Sequence, residues 1–138
     1  MGKEKDIGKN KEKHFKRLIG LAVAMRPIEF KRGQNYFHVC FVLNKKAVIA
    51  IGVNDMNKSH PKLKNYPYKP EVKLHAEFVA TSKVKFLDCS GFNLVVLRID
   101  KENKLMNSKP CAGCEAVIRE KGFNKIWYSC ANNEFHKL

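Results

Sequence analysis

The sequence predicts a single α/β domain, and three observations support this prediction. The chain has 138 residues, which is enough for one domain with a hydrophobic core and too few for two domains of ordinary size. Hydrophobic residues make up 44% of the chain and fall into several short runs, as in globular proteins. The runs follow the order helix, two strands, helix, strand, helix, strand, and the final strand–helix–strand step predicts a right-handed parallel crossover.

The first half of the chain predicts a helix followed by a β-hairpin. Apolar residues at helical spacing indicate a helix over roughly 13–25, and Pro27 ends it because a proline ring cannot continue a helix. The apolar runs Tyr36–Leu43 and Ala47–Val53 flank a polar break and predict two paired, largely buried strands. The segment from Asn54 to Lys73 is polar and lacks periodicity. A loop of this length in a small domain is more often functional than idle.

The second half of the chain predicts two further helices and two further strands. The pattern favours a helix from Leu74 to Lys85 and a buried strand from Phe92 to Ile99. A second helix is expected from Cys111 to Lys121, where Gly122 occupies a C-cap position. Lys125–Cys130 has the composition of a last strand.

The charge of the chain is strongly positive and unevenly distributed. Lysine and arginine number 27 against 13 acidic residues, a formal net charge of +14. Residues 1–12 lack apolar periodicity and are expected to form a basic, flexible arm or the frayed start of a helix, which leaves 13–138 as the folded domain. Residues 1–17 carry seven basic and three acidic side chains, so a surplus of ten remains on the body. Such a surplus is typical of proteins with polyanionic partners, and it also favours solubility.

The sequence has no membrane or secretion signal, and its cysteines do not suggest disulfide bonds. No run reaches the length of a transmembrane helix, and no secretory signal follows the first methionine, so a cytoplasmic location is expected. The five cysteines are an odd number, which argues against a disulfide framework. Cys40, Cys89 and Cys130 are expected to be packing residues.

Cys111 and Cys114 have the spacing of a metal-binding pair. Three positions apart in the first turn of a helix, both sulfurs can reach one metal ion. The pair alone is also compatible with a redox site, half of a structural zinc finger, or coincidence. Pro110 marks the start of the helix, and the positive end of that helix favours the thiolate form that zinc requires.

The tripeptide His75-Ala76-Glu77 can complete such a site. A neutral imidazole would be the third ligand, and three protein ligands leave the fourth zinc position open to water, as in catalytic sites. Residues two apart on a regular helix point away from each other. We therefore expect His75 to lie at the very start of its helix, so that it can bind the metal while Glu77 reaches a molecule bound beside it.

These two motifs together resemble the zinc deaminases. His75-Ala76-Glu77, followed by Pro110-Cys111-Ala112-Gly113-Cys114, is the combination typical of the cytidine, deoxycytidylate and tRNA adenosine deaminase superfamily. The resemblance runs from about residue 13 to 130. The segment from Gly52-Val53-Asn54 through Ser59-His60-Pro61 to His75 is similar to phage-encoded members.

The resemblance implies a fold. It is a three-layer, cytidine deaminase-like α/β fold, in which a mixed sheet of four to five strands carries helices on both faces. Only eight residues follow Cys130, so the fifth strand and terminal helix of larger members are expected to be abbreviated or absent.

The resemblance also implies the chemistry. His75, Cys111 and Cys114 match the zinc ligands, and Glu77 matches the proton shuttle. Zinc lowers the pKa of a water ligand from about 15.7 toward about 7. Glu77 then moves protons to a ring nitrogen and to the departing amine while hydroxide attacks C4 of cytosine or C6 of adenine.

Five residues are predicted to contact the substrate. By resemblance, the Ala76 backbone N–H meets the base, the Ser108 carbonyl receives the leaving amino group, and Asn54 hydrogen-bonds base or sugar. Tyr66 and Tyr68 lie in the loop that enters the active-site helix, where they either stack on a base, cover the pocket or anchor the loop to the core.

The substrate itself is less sharply defined. Cytosine is favoured over adenine because most related small members act on cytosine. A single-stranded nucleic acid is the predicted substrate, since Lys58, Lys62, Lys64 and Lys69 are placed to line a strand-sized groove. The alternatives are a free nucleotide or nucleoside, such as dCMP or cytidine, and an adenosine in RNA. The sequence predicts no particular oligomeric state.

Two other functions compete with the deaminase. A basic nucleic-acid-binding module would use the zinc structurally, with Cys130 or His136 as a fourth ligand. A thiol redox enzyme is also compatible with the cysteine pair, although it has no use for His75.

Overall fold

The computed structural model describes residues 8–27, 36–55, 58–69, 73–84 and 88–138. Within these ranges the helices are α1 (Gly8–Met25), α2 (Ala76–Ser82) and α3 (Ala112–Lys121). The strands are β1 (Phe37–Asn44), β2 (Ala47–Val53), β3 (Asn93–Ile99), β4 (Ile126–Cys130) and β5 (Glu134–Lys137). Short 3-10 helices lie at Pro61–Asn65 and Ala131–Asn133.

The five strands form one mixed sheet in the order β2-β1-β3-β4-β5. Strand β1 pairs antiparallel with both β2 and β3. Strands β3 and β4 pair parallel, with α3 between them in the chain. The antiparallel hairpin and the parallel crossover predicted from the sequence are therefore both confirmed.

Helices cover both faces of the sheet because side chains alternate along each strand. On one face, Phe15 and Leu18 of α1 pack against residues such as Phe41 and Leu97. We call this the α1 face. The other face is called the α2–α3 face. There, Ala80 and Ile118 pack against the strand residues whose side chains point to that side of the sheet. The strand residues of this cluster are Cys40, Val42, Leu94, Val96 and Ile126.

Helix α1 is longer than the sequence predicts. It begins at Gly8, whereas the apolar spacing predicts a helix from about residue 13. Its first turns, Gly-Lys-Asn-Lys-Glu-Lys, carry no apolar side chain that would mark a buried face. Part of the segment 1–12 is thus helical. Residues 1–7 lie outside the described ranges. The division of the chain into an arm and a domain at residue 12 stays a prediction. None of the described helices is long and apolar enough to cross a membrane.

The end of the chain adds a strand that the element order read from the sequence lacks. Strand β5 pairs antiparallel with β4 over four positions, so the fifth strand is present in abbreviated form. The chain reverses through Asn132 and Asn133, whose φ angles of 68° and 59° lie in the left-handed region. Asparagine adopts this region more readily than most residues.

The long loop before α2 is partly ordered against the core. Its 3-10 helix at Pro61–Asn65 is capped by His60, whose Nδ1 accepts a hydrogen bond from the Lys62 N–H at 3.0 Å. Leu63 is buried against Phe78 and Val117. Residues 56–57 and 70–72 of the predicted loop lie outside the described ranges.

Candidate active site

The α2–α3 face brings the starts of two helices together. His75 and Cys111 are the N-cap residues of α2 and α3, and both have extended backbone conformations. The prediction that His75 lies at the very start of its helix is confirmed. Gly52 allows α2 to lie directly on β2, since a Cβ atom there would be 2.3 Å from the Ala76 carbonyl oxygen.

His75, Cys111 and Cys114 form a cluster of possible metal ligands, here called the metal triad. The ligand atoms all lie within 4.8 Å of one another. His75 Nδ1 is 3.5 Å from the Cys111 Sγ and 3.3 Å from the Cys114 Sγ. Tetrahedral zinc, with Zn–S of about 2.3 Å and Zn–N of about 2.0 Å, holds nitrogen and sulfur roughly 3.5 Å apart. The donor set and its spacing therefore fit zinc.

The two sulfurs of the triad act on each other's pKa. Hydrogen bonding with Cys114 lowers the pKa of Cys111 to about 4, and the same contact raises the pKa of Cys114. The Cys111 sulfur also raises the pKa of His75 through a hydrogen bond. Zinc requires both sulfurs as thiolates, so metal binding would release a proton from this pair.

Glu77 lies on the inner side of α2, next to the metal triad. It is the second residue of the helix and is buried. Burial raises the pKa of its carboxyl, while the neighbouring His75 opposes that rise. A raised pKa makes a carboxyl a better proton acceptor, which suits a group that takes up and passes on protons in a reaction.

Three polar side chains lie side by side where the apolar core of the α2–α3 face ends. His38 of β1 is paired with Arg98 of β3, and the Asn54 Oδ1 accepts a hydrogen bond from the His38 backbone N–H at 3.1 Å. By alternation, His38 and Arg98 share the face of Cys40 and Val96. We call Asn54, His38 and Arg98 the polar row. The bond to His38 uses the Asn54 oxygen and leaves its amide NH₂ group as a possible donor to a substrate.

His38 and Arg98 were not identified as functional residues from the sequence. The His38 Nε2 and Arg98 Nε atoms are buried and have no hydrogen-bond partner among the described residues. Burial, followed by the charges of Arg98 and His75, lowers the pKa of His38 to about 4. Buried polar atoms without partners are unusual and deserve a functional explanation. The register of the predicted hairpin could have identified His38 from the sequence, because it places the single histidine of an apolar strand beside Asn54.

Ala76 and Ser108 occupy positions consistent with their predicted backbone roles. Ala76 is the first residue of α2, where backbone N–H groups have no partner inside the helix. The Ser108 hydroxyl donates to the Val96 carbonyl at 2.9 Å and accepts from the Ser129 N–H at 2.7 Å. These bonds fix the segment before Cys111 to the sheet. The substrate contacts of both residues stay predictions.

The two tyrosines of the loop have different surroundings. The Tyr68 hydroxyl is 2.9 Å from the Cys114 Sγ, and its ring meets His75 edge to face with centroids 5.4 Å apart. Tyr66 lies near Glu120, towards the opposite end of α3 from Cys111, where burial and that carboxylate raise the pKa of its hydroxyl. The structure thus brings Tyr68 to the metal triad and directs Tyr66 away from it.

The metal triad has no fourth protein ligand among the described residues. Neither Cys130 nor His136 belongs to the cluster of ligand atoms. His136 instead contacts Glu134 through its Nε2, 3.2 Å from the carboxylate. The alternative of a closed structural zinc site therefore finds no support in the described part of the chain.

The fold is similar to that of known cytidine deaminases. A crystal structure of cytidine deaminase from Burkholderia pseudomallei matches with a TM-score of 0.58 and 16% identity, over 89% of this chain and 90% of the other. Cytidine deaminase from Mycobacterium leprae matches with a TM-score of 0.53 and 20% identity, over 89% and 92%. The sequence matches no protein-family model and no curated protein.

These matches confirm the predicted fold, which is cytidine deaminase-like with a mixed five-stranded sheet. At these identities the likeness concerns the fold, and it does not support the resemblance to phage-encoded members. That resemblance stays a prediction.

Proposed function

We propose that this chain is a zinc-dependent hydrolase that deaminates cytosine to uracil. The observation that carries the proposal is the metal triad with Glu77 beside it, on a cytidine deaminase-like fold. His75, Cys111 and Cys114 would hold the metal through one nitrogen and two sulfurs. Zinc bound there supplies a water whose pKa is lowered to about 7.

Glu77 is the proton carrier in this proposal. Its buried carboxyl accepts a proton from the attacking water and delivers one to the ring nitrogen of cytosine as C4 is attacked. The same carboxyl then accepts the second proton of the water oxygen, now bonded to C4, and passes it to the amino group as the C4–N bond breaks and the C4 carbonyl forms. Water and cytosine are consumed, and ammonia and uracil are formed.

The remaining site residues are proposed to hold the base in place. The Ala76 N–H donates to the base, the Ser108 carbonyl accepts from the leaving amino group, and the Asn54 NH₂ group donates to base or sugar. The positions of these residues support the proposed roles. Ala76 begins α2, Ser108 precedes Cys111, and Asn54 belongs to the polar row.

Two substrate classes are candidates, each favoured by a separate observation. Lys58, Lys62, Lys64 and Lys69 are exposed on the loop that leads to the metal triad, which favours a single-stranded nucleic acid. Phosphate contacts of this kind make binding strongly dependent on salt. The likeness to cytidine deaminases favours free cytidine or its nucleotides instead.

Product analysis with several substrates tests both the activity and its target. We expect uracil from a cytosine-containing oligonucleotide, with turnover falling steeply as salt rises. Cytidine and dCMP are assayed beside it at the same salt concentrations. Efficient turnover of these alone, with the oligonucleotide untouched at every salt concentration, would replace the polymer by a free nucleoside or nucleotide as substrate.

Glu77→Gln separates catalysis from metal binding. Because it removes the proton carrier without touching a ligand, we expect full zinc content and a loss of turnover of at least about 10²–10⁴-fold. Turnover comparable to that of the unmodified protein would sink the proposed mechanism. No deamination of any substrate by zinc-loaded protein would sink the proposed function.

A further inference from the structure

We infer that Tyr68 is a positioning residue of the metal site, whose hydroxyl donates a hydrogen bond to the Cys114 sulfur and fixes that ligand for the metal. The inference rests on the zinc site of the proposed function and concerns metal binding rather than the reaction. It gives Tyr68 a role other than the predicted contact with a nucleobase.

The direction of this hydrogen bond follows from the chemistry of its partners. The Tyr68 oxygen and the Cys114 sulfur are 2.9 Å apart. A cysteine that binds zinc is a thiolate and has no proton to donate. The phenol must therefore be the donor, and hydrogen bonds to a charged acceptor are stronger than those between neutral groups.

The ring that carries the hydroxyl is held on several sides. The ring packs on the first turn of α3, where a Cβ atom on Gly113 would lie 2.3 Å from it. Its orientation to His75 is edge to face, with an interplanar angle of 87°. The ring also packs against the buried cluster of Leu63, Phe78 and Val117. These contacts hold the hydroxyl beside the Cys114 sulfur.

Tyr68 contacts both segments that supply the metal triad. It meets His75 at the start of α2, and it meets Gly113 and Cys114 in the first turn of α3. Partners of this kind orient metal ligands, and their loss typically weakens metal binding by about 10–100-fold. This position of the Tyr68 ring requires glycine at residue 113, since any larger side chain there would occupy the space of the ring.

Tyr66 provides a matched control. It lies two positions earlier in the same loop and packs against the same cluster. Its hydroxyl, however, lies near Glu120 and makes no hydrogen bond to the sulfurs of the metal triad. Removing the Tyr66 hydroxyl changes the loop by the same single atom without touching the metal triad.

The experiment compares metal binding by the full-length unmodified protein, Tyr68→Phe and Tyr66→Phe. Zinc dissociation constants are measured by competition with a chromogenic chelator. The absorption spectrum of the cobalt-substituted protein reports the thiolate ligands directly. We expect Tyr68→Phe to bind zinc about 10–100-fold more weakly with a shifted thiolate-to-cobalt band, and Tyr66→Phe to remain within about twofold of the unmodified protein.

Gly113→Ala is a second test, because it displaces the Tyr68 ring while leaving its hydroxyl in the chain. It is expected to weaken zinc binding and shift the cobalt band in the same direction as Tyr68→Phe. Equal zinc affinity and an unchanged cobalt spectrum in folded Tyr68→Phe would overturn the inference while leaving the proposed function intact. If Tyr68→Phe does not fold, an unchanged affinity and spectrum in Gly113→Ala overturn it instead.

The two proposals can also fail in the other order. Tight zinc binding that depends on Tyr68, without deamination of any cytosine substrate, would support the positioning role and refute the proposed activity. An unmodified protein that binds no zinc would overturn both.

Discussion

The α1 face and the α2–α3 face of the sheet are built from the same strands. They differ in the side chains that lie where the apolar core of each face ends. On the α1 face the packing is apolar to the rim, where Phe15 stacks on Phe135 with ring centroids 4.1 Å apart. On the α2–α3 face the apolar core ends at the polar row, next to the metal triad. Because side chains alternate along a strand, His38 and Arg98 add polarity to one face without interrupting the core of the other.

Charged groups are also placed differently on the two faces. The α1 face has a cavity of about 150 Å³ whose rim includes Lys45, Lys46 and Lys125. Two of these lysines are exposed, so that water screens their charges at little cost. On the α2–α3 face Glu77 is buried, and so are the orphaned nitrogens of the polar row. Burial of such groups is destabilising, and it is concentrated where the chemistry is proposed.

The largest expected effect removes a ligand from the α2–α3 face. Cys111→Ser deletes one of the two thiolates, and we expect zinc content to fall from one ion per chain to almost none. The loss of affinity should exceed the 10–100-fold typical of outer partners of a metal site. Metal analysis of purified protein, followed by chelator competition, measures it.

Cys130→Ser is the matched control for this prediction. Cys130 is also partly accessible and lies outside the triad, so its replacement should leave zinc content unchanged. If Cys130→Ser loses zinc while Cys111→Ser retains it, Cys130 and not Cys111 is a ligand of the metal. The alternative of a closed structural zinc site would then be supported.

Much of this comparison was accessible from the sequence, because the patterns involved are local. The apolar runs predicted four of the strands, and the motifs around His75 and Cys111 predicted the metal triad and the helix starts that hold it. Gly122 ends α3 in the left-handed conformation, with φ of 71°, as its C-cap position predicted. Each motif spans only a few positions, and the resemblance to the zinc deaminases joined the two motifs, although His75 and Cys111 are 36 positions apart.

The features that were missed depend on tertiary contacts. Strand β5 has only four residues, Glu-Phe-His-Lys, too few for a reliable pattern. His38 gains its neighbours from the register of β1 with β3, which spacing along the chain does not specify. The hydrogen bond of Tyr68 depends on the path of an irregular loop, and no periodicity reports such a path.

The imidazole of His38, in the polar row, should make the stability of the protein depend on pH. The pKa of His38 is about 4 in the folded protein, lowered mainly by burial, and about 6.5 in an unfolded chain. Between these values the unfolded chain binds a proton that the folded protein does not, so stability falls as pH falls from about 6.5 to 4. Relative to His38→Gln, the unmodified protein should lose roughly 2–3 kcal/mol between pH 7 and pH 4.5.

Denaturant unfolding of the zinc-free proteins at several pH values measures this difference. Other titrating groups, including His75, are common to both proteins and cancel in the comparison. If both proteins lose stability in parallel over this range, His38 is not buried as a neutral ring, and the contrast between the two faces is weaker than described.

A smaller effect is expected from Gly52→Ala, which tests how closely α2 approaches the sheet. The added Cβ would meet the Ala76 carbonyl oxygen and the Ala80 nitrogen, each at 2.3 Å. Backbone atoms cannot rotate away as side chains do, so α2 must shift. We expect a loss of about 1–3 kcal/mol in the free energy of unfolding, with weaker zinc binding because His75 moves with the helix. Unchanged stability would show that α2 lies farther from β2.

The smallest effect should have the opposite sign and lies on the other side of the molecule. Gly20 is in the middle of α1, and a Cβ atom there meets nothing within 4 Å. Alanine restricts the unfolded chain more than glycine does and favours the helix, so Gly20→Ala should stabilise the protein by about 0.5–1 kcal/mol. Thermal unfolding of Gly20→Ala and Gly52→Ala, measured side by side, should give shifts in opposite directions. A loss of stability in Gly20→Ala would show that the exposed side of α1 is covered in solution. Repeating the measurement over a range of protein concentrations would then identify a second copy of the chain as the cover, since only association makes the midpoint depend on concentration.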